Sequence, residues 1–204
     1  MKYDVIVSKE SVKKAADALI ARNVNVEIVN TKEEALKRIN KLIPSGKEVM
    51  TGSSTTLDQI GFTEQLKSGK HPWNNLKESI MAEKDPVKQM EQRKRSVTSE
   101  YFLCSVHAVA QTGEILIASA TGSQIPSDVF SSDNVIWIVG TQKIVPTLEE
   151  CFKRVHEYVV PLEDKRMKSM GYPGTTLGKL LIFEREINQN RKITLIFVNE
   201  KLGF

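Results

Sequence analysis

The sequence predicts an α/β protein, with a mostly parallel sheet, helices on both faces and an antiparallel strand pair at the C-terminal end. Three observations predict it. Helical and strand-like periodicities alternate through the first half of the chain, the pattern of a parallel sheet threaded by crossover helices. The strand candidates are short, near-continuous apolar runs, as in strands buried on both faces. The last two runs, 179–185 and 192–200, are joined by a connection too short to hold a crossover helix. The chain has 204 residues, 40% of them hydrophobic and 26% charged, so its core needs no disulfide or metal staple. One domain over 1–204 is expected, with an N-terminal helix-and-strand part (1–45), a core (46–160) and a C-terminal part (161–204). Neither an internal repeat nor a flexible linker divides it.

The elements follow in order. Residues 9–22 place Val12, Ala15, Ala16, Leu19 and Ile20 on one helical face, and Ser11 is a plausible start. Residues 24–29 alternate as a strand. Thr31 with Glu34 forms a capping-box pattern for a helix burying Ala35, Leu36, Ile39 and Leu42, ended by Pro44-Ser45-Gly46. Residues 48–52 are a short strand that runs through Gly52-Ser53-Ser54-Thr55-Thr56 into a helix start at 57–61. Residues 62–83 read as irregular or weakly helical. A helix spans 85–98, with Pro86 in its first turn. Strands 101–106 and 114–119 flank the turn 111–113. A loop spans 120–133, and a buried strand 134–140. Helices follow from Thr147 to Val159 and from Pro161 to Ser169, then a loop at 171–174 and the two final strands.

Charge and composition narrow the function. Net charge is 29 − 25 = +4, and the densest basic stretch, Lys84 to Arg95, also holds two acids, as a solvated helix face does. Aromatics make up only 6% and do not interleave with the basic residues, so nucleic acid is set aside. No apolar run approaches the roughly 18 residues of a membrane span, and no secretory leader opens the chain. A reducing cytoplasm is the expected compartment. Cys104 and Cys151, without a Cys-x-x-Cys pair, predict no zinc or iron–sulfur site on this chain.

Gly52 to Thr56 is the sharpest local signal. A small-residue loop between a parallel strand and a helix points free N–H groups at a crevice and suits an anion. A plain helix cap by Ser54 or Thr55 explains it equally well. No Gly-x-x-x-x-Gly-Lys or Gly-x-Gly-x-x-Gly is present, so neither a nucleoside triphosphate nor a dinucleotide is indicated. Glu114, after Thr112-Gly113, could be a general base, but a hairpin turn with Gly113 at positive φ is the favoured reading. Gly122-Ser123-Gln124 reads as a solvated loop before a second ligand loop. His107 reads as a core or rim residue, and Cys104 as a small hydrophobe.

Together the segments 52–61, 99–116, 121–124, 135–145 and 192–204 resemble the LUD-domain family (lactate utilisation, formerly DUF162) in order and spacing over nearly the whole chain. The resemblance implies a fold of the sugar-phosphate isomerase, ribose-phosphate isomerase and CoA-transferase group. It implies a pocket gathering Gly52, Ser53, Ser54, Thr55, Thr56, Arg93, Thr112, Gly113 and Glu114. Gly122, Ser123, Gln124 and Lys143 would flank it, and Glu114 would be the catalytic group if a reaction occurs. The implied role is lactate or pyruvate utilisation through binding of a small anionic metabolite. Two alternatives stand beside it. One is a non-catalytic assembly or regulatory subunit for iron–sulfur oxidoreductase subunits. The other is a CoA-transferase-like or sugar-phosphate isomerase-like enzyme. The cofactor is unknown, and a homodimer is left open. The chain departs from the family at Gln111, where relatives carry glutamate, and at 122–124, where an arginine is common. It also has no cysteine-rich insertion near Gly171.

Overall fold

The computed structural model describes residues 3–204. In chain order the elements are α1 (Lys9–Ile20), β1 (Asn25–Val29), α2 (Lys32–Leu42), β2 (Glu48–Thr51), α3 (Thr55–Gln59), α4 (Phe62–Lys67), β3 (Asn74–Asn75), α5 (Leu76–Ala82), α6 (Pro86–Arg95), β4 (Tyr101–Cys104), β5 (Ala108–Ala110), β6 (Ile115–Ser119), β7 (Asn134–Gly140), β8 (Ile144–Val145), α7 (Leu148–Arg154), α8 (Val160–Ser169), β9 (Lys179–Phe183) and β10 (Lys192–Val198). Local chemistry sets the helix starts. Ser8 caps α1 by accepting from Ser11 N, and Thr31 caps α2 by accepting from Glu34 N at 3.3 Å. Asp85 caps α6, with Pro86 at its first turn, where a missing N–H costs nothing.

Six strands form a wholly parallel sheet in the order β1-β10-β7-β4-β2-β3. Its central strands are apolar on both faces, because successive side chains alternate across a strand. Leu103, Ile136, Ile138, Ile196 and Val198 pack towards Ala35 and Ile39 of α2, Leu57 of α3 and Phe62 of α4. Phe102, Val135, Trp137, Leu195 and Phe197 face the other way, against α1 and a second sheet. That second sheet, β8-β5-β6-β9, is mixed. Trp137 meets Phe183 of β9 edge-on at 5.2 Å and joins the two sheets. Cys151 of α7 and Val155 pack on the outer face of the second sheet.

The parallel sheet with helices on both faces agrees with the sequence reading, but three local expectations are corrected. The two last strands do not pair with each other. β9 runs antiparallel to β6, while β10 inserts between β1 and β7, parallel to both. The reason is burial. Ile193 to Val198 is buried on both faces and fits only the sheet interior, whereas β9 leaves Lys179 and Ile182 exposed and suits an edge. Arg191, buried and 2.6 Å from Glu186, secures the crossing between the sheets. As expected, helices lie on both faces of the main sheet: α2, α3 and α4 cover one, and α1 shares the other with the second sheet. The stretch 62–83 holds the short helices α4 and α5, with Phe62 packed against Trp73 at 5.6 Å. The loop 120–133 contains a π-helical segment, Ser127–Ser131, that carries the buried Asp128.

Candidate functional site

The chain leaves β2 towards the α3 face and leaves β4 towards the second sheet. Strand connections that part in this way open a crevice at the carboxyl ends of a parallel sheet. A cleft of about 710 Å³ lies there, between the 52–56 loop, the residues after β4 and the far end of β6, with α5, α6 and α8 around its mouth.

Of the residues expected in one pocket, Gly52, Ser53, Ser54, Thr55 and Thr56 line this cleft, as do Arg93, Ser123, Gln124 and Lys143. Both readings of the Gly52–Thr56 loop hold together. Ser54 Oγ caps α3 by accepting from Leu57 N at 3.3 Å, and the loop still faces the cleft. Gly122 sits at φ +85 between two lining residues, and its N–H donates to Ser119 Oγ at 2.9 Å. Ser119 Oγ in turn donates to Gln124 Oε1 at 3.0 Å, so this loop is tied to itself.

Thr112, Gly113 and Glu114 do not line the cleft. They form the β5–β6 hairpin turn, with Gly113 at φ +103 and its N–H donating to Ala110 O. Glu114 stands before β6, whose opposite end reaches the cleft, about 15 Å away at the ordinary strand rise. Arg22 Nη2 donates to Glu114 Oε1 at 2.6 Å, and Thr112 Oγ1 donates to Oε2. Burial alone would raise the Glu114 carboxyl. The hydrogen bonds from Thr112 and Arg22 outweigh it and hold the group below its ordinary range. It is a turn clamp here, ionised and engaged.

Lys143 is the centre of the site. It follows β7 in a single 3₁₀ turn and is 3% exposed. Its Nζ donates to Ser105 Oγ at 2.9 Å, Thr56 Oγ1 at 3.1 Å and Val106 O at 3.2 Å. All three partners are neutral. Burial, then the nearby Arg154 charge, push Lys143 down to about 7. Arg154 is fully buried behind it, bonded to the carbonyls of His107 and Tyr3 and stacked on the Tyr158 ring at 5.3 Å. Neither cation has a carboxylate within ion-pair distance among the described residues. Lys77 adds a third positive charge, with Nζ 3.3 Å from Thr51 Oγ1. Its pKa is lowered by burial and by Arg93, which also lines the cleft and has no ion pair among the described residues. Glu163, the one acid on the cleft wall among the described residues, is held bidentately by Arg166 at 2.6 and 2.7 Å.

The sequence reading passed over two further lining residues, Lys77 and Ser105, and read a third, His107, as a core or rim residue. Lys77 gave no signal, because its stretch looked irregular. Ser105 and His107 follow β4 directly, and that position at a strand's carboxyl end was the available clue. His107 Nδ1 accepts from Ala118 N at 2.9 Å. Burial, with Lys143 and Arg154 nearby, takes its pKa down to about 3. The ring is therefore neutral, with its proton on Nε2. Cys104 lines the cleft, but burial and the adjacent Asp128 hold it firmly as a thiol, the inert reading of this residue. No cluster of His, Cys, Asp or Glu suited to a metal occurs among the described residues, and no helix there is long and apolar enough to cross a membrane.

The layers and the cleft define an α/β protein with a concavity at the carboxyl ends of a parallel sheet. The chain belongs to the LUD-domain family, which matches residues 12–198. Among solved structures it is similar to a DUF162 family protein from Deinococcus radiodurans. The TM-score is 0.56 at 14% identity, covering 95% of this chain and 99% of that one. A slighter likeness is to eIF2B beta from Chaetomium thermophilum, with a TM-score of 0.32 at 13% identity over 69% of this chain and 44% of that one. No curated protein matches.

Proposed function

We propose that this LUD-domain protein binds a small anionic metabolite in the cleft, in the utilisation of small organic acids such as lactate or pyruvate. One observation carries the reading: a buried lysine, backed by a buried arginine, faces the cleft with no carboxylate to balance it. A buried charge without a partner is costly, and an incoming anion relieves that cost. Lys77 and Arg93 extend the positive field towards solvent. The hydroxyls of Ser53, Thr55 and Thr56 supply neutral donors at the same place.

The test is a thermal-shift panel with lactate, pyruvate, glycolate, acyl-CoAs, sugar phosphates and inorganic phosphate. A ligand at about 100 times its dissociation constant adds about 2.7 kcal/mol, a rise of about 5–10 °C at this chain length. One class should give that shift, and Ser53→Ala/Thr55→Ala should reduce it. A flat response across all anions would refute metabolite binding. Co-purification with iron–sulfur oxidoreductase subunits would then become the question.

A further inference from the structure

Ser105 has a neighbourhood that anion binding does not explain. It is the first residue after β4, half-buried on the cleft wall. Its Oγ donates to Ile138 O at 2.6 Å and accepts from Lys143 Nζ at 2.9 Å. Two residues on, the neutral His107 ring lines the same cleft, its proton fixed on Nε2 by the Ala118 N–H bond to Nδ1. Hydroxyl and amine are thus in hydrogen-bond contact, and the imidazole lines the same cleft. These are the parts that acyl transfer requires: a nucleophile, a base within hydrogen-bond reach and a donor for the developing oxyanion.

We infer that Ser105 is a nucleophile with Lys143 as its base, and that the cleft takes an ester or thioester whose acyl part carries the anionic group. This rests on the cleft being the anion site. Ser105 Oγ forms a bond to the acyl carbon, and its proton passes to the neutral Nζ of Lys143. The bond from that carbon to the leaving oxygen or sulfur breaks, and the leaving atom takes the proton from Lys143. Water then attacks the acyl-serine, gives a proton through Lys143 to Ser105 Oγ, and releases the acid. His107 Nε2–H donates to the carbonyl oxygen as negative charge gathers on it, and its neutrality suits that task. No electrons are exchanged with any third species.

Burial keeps part of the Lys143 population as free amine near neutral pH, which a base requires. Arg154 faces the amine from α7 and favours the neutral form, after burial itself. The Cys104 thiol and the His107 ring, on the other sides, are uncharged. The volume agrees with an acyl compound larger than a three-carbon acid, since clefts of about 300–1,000 Å³ suit drug-sized ligands.

The experiment is labelling of the purified chain with a fluorophosphonate ester, read by intact mass and peptide mapping. One adduct is expected, on Ser105, with a labelling rate that rises through a midpoint near pH 7. Ser105→Ala should abolish it. Lys143→Met and Lys143→Arg should each slow it by about a hundredfold or more, the usual least worth of a general base. Urea midpoints for each variant establish that it is folded. Thermal shift with inorganic phosphate runs in parallel. A phosphate shift without a Ser105 adduct overturns the dyad and leaves the anion site standing. A Ser105 adduct without any anion shift supports the dyad and removes the anion reading. Unchanged labelling in folded Lys143→Met overturns the role of Lys143 as base.

Discussion

Replacing Lys143 by methionine tests the energetics of the site directly. The lysine falls from an ordinary 10.5 to about 7 in the fold. Between those values the unfolded chain binds a proton that the folded chain does not, so stability rises with pH across that window. Below pH 7 the whole cost is present, about 5 kcal/mol at 1.36 kcal/mol per pH unit. At pH 9.5 roughly 1.4 kcal/mol remains by the same arithmetic. Methionine removes this cost but leaves Val106 O without its partner, a loss of about 1–3 kcal/mol that does not depend on pH. Lys143→Met should therefore stabilise the ligand-free protein by about 2–4 kcal/mol at pH 6 and by little or nothing at pH 9.5. Urea denaturation of both proteins at the two pH values measures it, and other titrations cancel in the double difference. Equal effects at pH 6 and pH 9.5, or a loss of several kcal/mol at pH 6, would show that the amine is not an uncompensated buried cation.

Three further outcomes follow from the same structure. Asp128 is fully buried, and burial raises its carboxyl from 3.8 to about 6 against the opposing bonds from Trp137 and Cys104. Its contribution is intact below pH 3.8 and lost as pH rises through 6, so Asp128→Asn should gain up to about 3 kcal/mol at pH 7.5 and nothing at pH 4, read from urea midpoints. Glu114→Gln loses the charged partner of Arg22 and should cost about 1–3 kcal/mol in stability, while anion affinity by calorimetry stays as it was. Gly203 has φ +64, and a Cβ there would stand 2.4 Å from Thr56 Oγ1 and 3.1 Å from Lys143 Nζ. Gly203→Ala should therefore lower stability by about 1–2 kcal/mol and weaken anion binding together, measured by thermal shift with and without ligand.

Much of the fold could be read in the sequence because local and global signals agreed. Thr31 with Glu34, Asp85 with Pro86, and the spacing of Val12, Ala15, Ala16 and Leu19 each fixed a helix. What failed was short or non-local. β5 and β8 have three and two residues, too few to show an alternation. The partners of β9 and β10 lie far away in the chain, and a short connection reads as a hairpin until burial on both faces of β10 is weighed. The small-residue loop at 52–56 was legible because the strand, loop and helix signals follow one another directly. The spacing around Glu114 favoured a hairpin turn, which the structure has, but its clamp on Arg22 is a tertiary contact that no local pattern shows. Lys77, the Ser105–His107 connection and Lys143 come from three separate segments, so no spacing could announce that they meet.

The central claim is that an uncompensated buried lysine makes this cleft an anion site. Calorimetric titration of the wild-type protein and of Lys143→Met, with the anion that gives the largest thermal shift, tests it most directly. Titrations at pH 7.5 in two buffers of different ionisation enthalpy also count protons. Binding should be accompanied by proton uptake, because an anion beside Lys143 raises its pKa, and should weaken at least about tenfold in the variant. Equal affinity in the variant, with no proton uptake by the wild type, would contradict the account.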